Sequence, residues 1–280
     1  MMITHKIAAL TATLATAMSF VAAPAMAFSV TQTSNLQTLK DNLLGTDTAG
    51  LSAFSLSITG DAQAFGTFTD DPFGLGSGIV LSTGKVADLP GPSSDFISSS
   101  FGSTPGDLAE LNLSFFADST AEKLFFNYVF GSEEFPEFGG TSFNDSFELL
   151  LNGTNLAKLT DGQAVTINNL VPNANGSQNN PDYIDNSSGL AASIIKLDGL
   201  TKVLGFEGLL KKNDTNVVTF RIKDLGDTAY DSAVLVQGKL GTVKPPEPPT
   251  EPVPEPMTMG GLMAGAAMLA AGRKLRARRS

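Results

Sequence analysis

Lys123-Leu124-Phe125-Phe126-Asn127-Tyr128-Val129-Phe130 decides the fold, because it is apolar at nearly every position. Successive side chains of a strand point to opposite faces. A run without polar alternation therefore predicts a central strand covered on both sides. Outward from it the chain is rich in Phe, Val, Ile, Thr, Gly and Asn. Turn residues bound further short runs of strand character: Leu51–Thr59, Gly78–Ser82, Leu111–Phe116, Ser146–Leu151, Ala164–Asn168, Ala192–Leu197, Asn216–Ile222 and Ser232–Leu240. This pattern predicts an all-β, single-domain β-sandwich or jelly-roll-like fold. One early segment departs from it. Leu36, Leu39 and Leu43 lie at helical spacing behind Ser34 as a cap, with Gly45 as a stop, and predict a short N-terminal helix. Pro172–Gly189, rich in Asn, Gly, Ser and Asp, predicts a long polar loop.

Both ends carry targeting features. Lys6 precedes an apolar stretch from Ile7 to Ala23, and Ala25 and Ala27 supply the small residues of a cleavage site. Residues 1–27 thus read as a signal peptide and the mature chain as starting at Phe28; an uncleaved N-terminal anchor is the alternative. Residues 28–242 form the expected domain. Residues 243–253 are a proline-dense linker, which favours an extended spacer of about 3.1 Å per residue. Residues 254–280 then give Pro254-Glu255-Pro256, an apolar run from Met257 to Gly272, and the basic cluster Arg273-Lys274-Leu275-Arg276-Ala277-Arg278-Arg279. The basic cluster holds the cytoplasmic side. The apolar run falls short of the roughly 20 residues of a comfortable span and is rich in Gly, Ala and Met. It suits transient insertion into the inner membrane. The order of the three parts resembles the PEP-CTERM sorting signal of Gram-negative bacteria, and that resemblance implies processing by an exosortase.

Composition excludes much chemistry. The whole chain has a formal charge of −10, but only 12 of its 18 basic residues, against all 28 acidic ones, lie between Phe28 and Pro256, so the mature chain carries −16. Such a surface repels nucleic acid and favours divalent cations. The only histidine, His5, falls in the signal peptide, and Cys and Trp are absent. Histidine bases, Ser-His-Asp triads, cysteine nucleophiles and the usual zinc ligand sets are thereby removed.

Two acidic turns carry what chemistry remains. The first runs Gly131-Ser132-Glu133-Glu134-Phe135-Pro136-Glu137-Phe138-Gly139-Gly140 and continues to Asn144-Asp145. The second is Asp224-Leu225-Gly226-Asp227-Thr228-Ala229-Tyr230-Asp231. Oxygen ligands from tight loops are what calcium requires, so Glu133, Glu134, Glu137, Asn144, Asp145, Asp224, Asp227 and Asp231 are the candidate Ca2+ ligands. A solvated acidic hairpin whose Phe135 and Phe138 close the core is the other reading. Because strand-end loops can meet at one rim of a sandwich, both turns are expected to be able to serve one site. Paired carboxylates also catalyse glycoside hydrolysis, and Glu133, Glu134, Glu137 and Asp145 could provide such a pair. The lack of Trp and the presence of only three Tyr weigh against a sugar platform.

The domain is similar to the choice-of-anchor L family, extracellular β-domains found with varied surface-attachment signals. The likeness rests on Ile58-Thr59-Gly60 with Gly66-Thr67-Phe68, Gly78-Ile79-Val80-Leu81-Ser82-Thr83-Gly84 and Pro105-Gly106-Asp107. It continues through Phe126–Phe138 with Phe143-Asn144-Asp145, and through Asp224–Asp227 with Tyr230–Val234. Phe135 stands where the family pattern suggests tyrosine, and Gly139 where it suggests a bulkier residue, which would loosen the loop. The resemblance implies export, display at the outer surface or extracellular matrix, and no catalytic residue. A secreted, non-enzymatic structural or adhesive protein, stabilised by calcium, is therefore expected, with exopolysaccharide or other surface proteins as partners. The alternative is a calcium-dependent lectin-like module contacting sugar through Tyr183 and Asp185 of the Pro172–Gly189 loop.

Overall fold

The computed structural model describes residues 28–46, 48–102 and 106–243. The expected signal peptide, almost all of the linker and the Pro254-Glu255-Pro256 tail lie outside these residues. In chain order the elements are β1 (Ser29–Gln32), α1 (Leu36–Leu43), β2 (Leu51–Thr59), β3 (Phe65–Thr69), β4 (Ser77–Ser82), β5 (Leu108–Ala117), β6 (Lys123–Ser132), β7 (Ser146–Leu151) and β8 (Thr154–Asn155). There follow β9 (Val165–Thr166), α2 (Ile167–Leu170), β10 (Tyr183–Asp185), β11 (Gly199–Thr201), β12 (Leu204–Leu209), β13 (Asp214–Lys223) and β14 (Ser232–Gln237). They form two antiparallel sheets, the all-β sandwich expected. The first has the order β1-β3-β4-β14-β6-β11-β10, with β12 also on β6; the second has the order β2-β5-β13-β7-β8, with β9 on β7. Among the described residues no helix is long and apolar enough to cross a membrane.

Strand β6 is covered on both faces, as its composition predicts. Leu124, Phe126, Tyr128 and Phe130 enter the core between the sheets, with Leu111, Leu113, Phe147, Leu149 and Phe220 from the second sheet. Val129, on the opposite face of β6, joins Val80, Ala233 and Leu235 beneath Leu89, Ile97, Ile195 and Leu197. The connections around residues 85–101 and 186–198 thus roof the outer face of the first sheet. The second sheet leaves its outer face to solvent. There Arg221 stands opposite both Glu110 and Glu148 in the strand register. Its guanidinium reaches the two carboxylates at 2.6 and 3.1 Å, and Lys223 meets Glu148 at 3.1 Å.

Several local expectations are corrected. Ala192–Leu197 is not a strand: Ala191–Ser193 is a 3-10 turn, and only Ile195 bridges, to Pro90. Its apolar side chains serve the roof rather than a ladder. Ala164–Asn168 pairs only at Val165–Thr166 and then turns helical, because the Thr166 hydroxyl caps α2 by accepting from the Asn169 amide at 3.2 Å. Helix α1 is capped by Asn35 instead of Ser34, the Asn35 side chain accepting from the Thr38 amide at 2.9 Å. The Pro172–Gly189 loop contains strand β10 at Tyr183–Asp185, paired to β11.

Candidate functional site

Topology forces the two acidic turns together. Strand β6 lies beside β14 in the first sheet, Ser132 opposite Ser232. In the second sheet β7 lies beside β13, Ser146 opposite Lys223. The β6–β7 and β13–β14 connections therefore both cross between sheets at the same end of the sandwich. Hydrogen bonds join them: the Glu133 amide donates to the Asp231 carbonyl at 3.1 Å, and the Asn144 amide to the Leu225 carbonyl at 3.2 Å. In return the Leu225 amide donates to Asp145 Oδ1 at 2.9 Å.

Within this rim the eight candidate ligands divide. Glu134, Asp145 and Asp224 are buried, 1 %, 0 % and 4 % exposed. Each keeps one carboxylate oxygen, Glu134 Oε2, Asp145 Oδ2 and Asp224 Oδ1, without a hydrogen-bond partner. Burial raises the Glu134 pKa well above the carboxylate range, followed by the charges of Asp145, Asp224 and Asp227. Asp145 is raised by burial too, against the Ser232 hydroxyl and the Leu225 amide. Burial, then Asp145 and Asp227, pushes Asp224 up to about 8. Half-buried Asp227 completes this group, with its Oδ1 accepting from the Ala229 amide at 3.0 Å.

The others face elsewhere. Glu133 is pushed up to about 8 by burial and then Asp198, and exposed Glu137 acts on the same two groups. Asp231 is satisfied by Ser99, whose amide and hydroxyl donate to its two oxygens at 2.9 and 2.8 Å. Its carboxylate occupies the space a side chain at Gly84 would need, since a Cβ there would fall 1.9 Å from Oδ2. Asn144 Oδ1 accepts from the Asn168 amide at 2.9 Å. Gly139 does not loosen its loop: a Cβ there would stand 2.5 Å from the Val171 carbonyl, so the absent side chain lets the turn dock. Phe135 is buried in the core, its ring 5.1 Å from that of Tyr183.

Buried carboxylates without donors or cations are costly, and a divalent cation among them removes the cost. The donor chemistry of the inner group fits calcium, which takes six to eight hard oxygens. Gly106 marks a close approach: a Cβ on it would lie 2.2 Å from the Asp224 carbonyl oxygen and 3.0 Å from that of Asp227, so glycine lets this segment pack against the second acidic turn. Among the described residues no three Asp, Glu, His or Cys side chains already stand around one ion position. Binding therefore requires the inner carboxylates to turn toward one another.

Beside this group a cleft of about 420 Å³ is lined by Ser93, Ser94, Phe96, Glu133, Glu137, Phe138, Asp198 and Tyr230. Sequence reasoning missed Phe96, Ser99 and Asp198, which stand singly in the roof connections and owe their place to tertiary folding. Asp107 and Gly106 were visible only as part of Pro105-Gly106-Asp107.

A family model described as Choice-of-anchor L domain matches residues 28–240. No curated protein matches the chain. Among solved structures, the enzymatically active domain of tailspike protein 4 from bacteriophage CBA120 is 11 % identical with a TM-score of 0.26, covering 71 % of this chain and 21 % of that one. A β-glucosidase from Kluyveromyces marxianus in complex with glucose is 12 % identical with a TM-score of 0.22, covering 73 % and 19 %. The chain thus spans about a fifth of each, and likeness at this level carries no functional argument.

Proposed function

Since the chain belongs to the choice-of-anchor L family, whose domains are carried at cell surfaces, we propose that it is a displayed, non-enzymatic structural or adhesive protein whose fold is completed by calcium. Residues Glu134, Asp145 and Asp224 would hold the ion, helped by the Asp227 carboxylate. The observation that carries this reading is the set of three buried carboxylate oxygens, from the two connections that meet at this rim, with no partner. Export through the Ala25/Ala27 cleavage site and exosortase processing at Pro254-Glu255-Pro256 form the route to the surface, and matrix polysaccharide or neighbouring surface proteins are its partners there.

Hydrolysis through Glu134 and Asp145 fits poorly. Glu134 and Asp145 are sealed from any polysaccharide, at 1 % and 0 % exposed. The lectin reading fits poorly too, because the Tyr183 ring rests against Phe135 and over Gly199 rather than standing open. Thermal unfolding in EDTA and in millimolar calcium tests the proposal. Calcium at a hundredfold excess over its Kd contributes about 2.7 kcal/mol, which for a domain of this size raises Tm by roughly 5–10 °C. A chain that melts at one temperature in both buffers overturns it.

A further inference from the structure

The cleft next to the calcium group is a different kind of site. Glu133 lies at its wall, only 5 % exposed, and its Oε2 has no hydrogen-bond partner, while Oε1 accepts from the Ile97 amide at 3.3 Å. Asp198 and Glu137 share the lining, and no Lys or Arg does. Three aromatic rings and the side chains of Ser93 and Ser94 form the remaining surface. The Tyr230 ring lies 5.2 Å from Phe96 and 4.7 Å from Phe138. Phe96 is 63 % exposed, its ring edge-on to that of Tyr230. Tyr230 is held at φ 62°, a backbone region disfavoured for a large side chain, and its amide donates to the Ser98 hydroxyl at 3.2 Å.

Anions beside exposed ring faces define the chemistry of an organic cation. A bare metal ion has no use for the rings. A neutral sugar brings no positive charge to Glu133, Glu137 and Asp198. A guanidinium or alkylammonium uses both, since ring faces attract a cation within about 6 Å and carboxylates take its N–H groups in charge-assisted bonds. We propose that this cleft receives a basic side chain, arginine or lysine, of a partner protein, with its stem or guanidinium plane on Phe96, Phe138 and Tyr230 and its charge on Glu133 and Asp198. This assignment stands apart from the calcium group, which faces Asp145 and Asp224.

Calorimetric titration of the purified, calcium-saturated protein provides the test. The probe is a capped glycine peptide carrying a single arginine, compared with the same peptide carrying citrulline. The arginine peptide is expected to bind at least about tenfold more tightly, as a charge-assisted contact requires. Glu133→Gln and Phe96→Ala are each expected to reduce that binding by about tenfold at unchanged Tm. Asp41→Asn, on helix α1, controls for the overall negative charge and should leave binding intact. Equal binding of arginine and citrulline peptides overturns the proposal, as does unchanged binding in both cleft variants or an equal loss in Asp41→Asn. Binding of glucosamine oligomers with no binding of the arginine peptide overturns it in favour of an amino-sugar site. Loss of the calcium-induced Tm shift with peptide binding retained would instead touch only the neighbouring metal group.

Discussion

Single residues show how closely adjoining carboxylates can differ. Glu133 and Glu134 are consecutive, yet one borders the open cleft and the other is sealed among Asp145 and Asp224. Both lie in the turn after β6, where the Glu133 amide donates to the Asp231 carbonyl and the Glu134 amide to the Ser132 hydroxyl, so each side chain is set separately. Glu134→Gln separates metal binding from packing. It keeps the size of the side chain and removes a buried ionisable oxygen without a partner, a group whose burial costs about 1–3 kcal/mol. In EDTA at pH 8 the variant is expected to melt no lower than the parent, whereas the Tm increment from calcium falls by more than half. Loss of stability in EDTA together with a full calcium increment would assign Glu134 a packing role. The acidic positions themselves could be read from sequence, because they are dense and flanked by glycine. Their sorting could not. Asp231 spends both oxygens on Ser99, 132 positions away, and Asn144 spends its own on the Asn168 amide.

At the scale of elements, β6 was readable because its pattern lacks alternation, and a strand between two apolar layers needs none. That gives two independent tests of the layers. Phe126, stacked on Phe206 at 4.5 Å, belongs to the core between the sheets. Its replacement by Ala is expected to cost about 3–5 kcal/mol. Val129 belongs to the roofed outer layer, and Val129→Ala is expected to cost about 1–3 kcal/mol in denaturant titration. A neutral Val129→Ala beside a damaging Phe126→Ala would mean that the roof contributes no core. Two elements that sequence did not reveal, β11 and β12, share one physical feature. Strands β11 and β12 carry glycines where packing leaves no side-chain room: a Cβ on Gly199 would stand 2.7 Å from Phe135, and one on Gly208 2.5 Å from Leu151. Glycine lowers local strand character, so only the tertiary fit shows that these segments are paired. Conversely, Ala192–Leu197 has strand composition but lies in the roof, where burial rewards the same apolar side chains without a ladder.

For the whole molecule, two sets of carboxylates respond to pH in opposite directions. On the open sheet, Glu110 and Glu148 are lowered despite partial burial, Glu110 by Asn112 and Arg221 and Glu148 by Lys223 and Arg221. A folded pKa below the unfolded one gives stability that is present above about 4 and is lost as pH falls. At the rim, burial first and neighbouring carboxylates second raise Glu134, Asp145 and Asp224, the last to about 8. A folded pKa above the unfolded value near 4 gives stability fully present at acid pH and lost as pH climbs through about 8. The metal-free protein is therefore expected to be most stable near pH 5, where the surface ladder is ionised and the rim still protonated. Denaturant titrations in EDTA at pH 5, 7 and 8.5 should show stability falling at each step. The proposed calcium displaces those same protons, so its contribution is expected to grow with pH, and in millimolar calcium the decline should flatten or reverse. A metal-free protein whose stability rises between pH 5 and 8.5 would show that the rim carboxylates are already compensated within the chain, and the case for an ion at that end of the sandwich would fall with it.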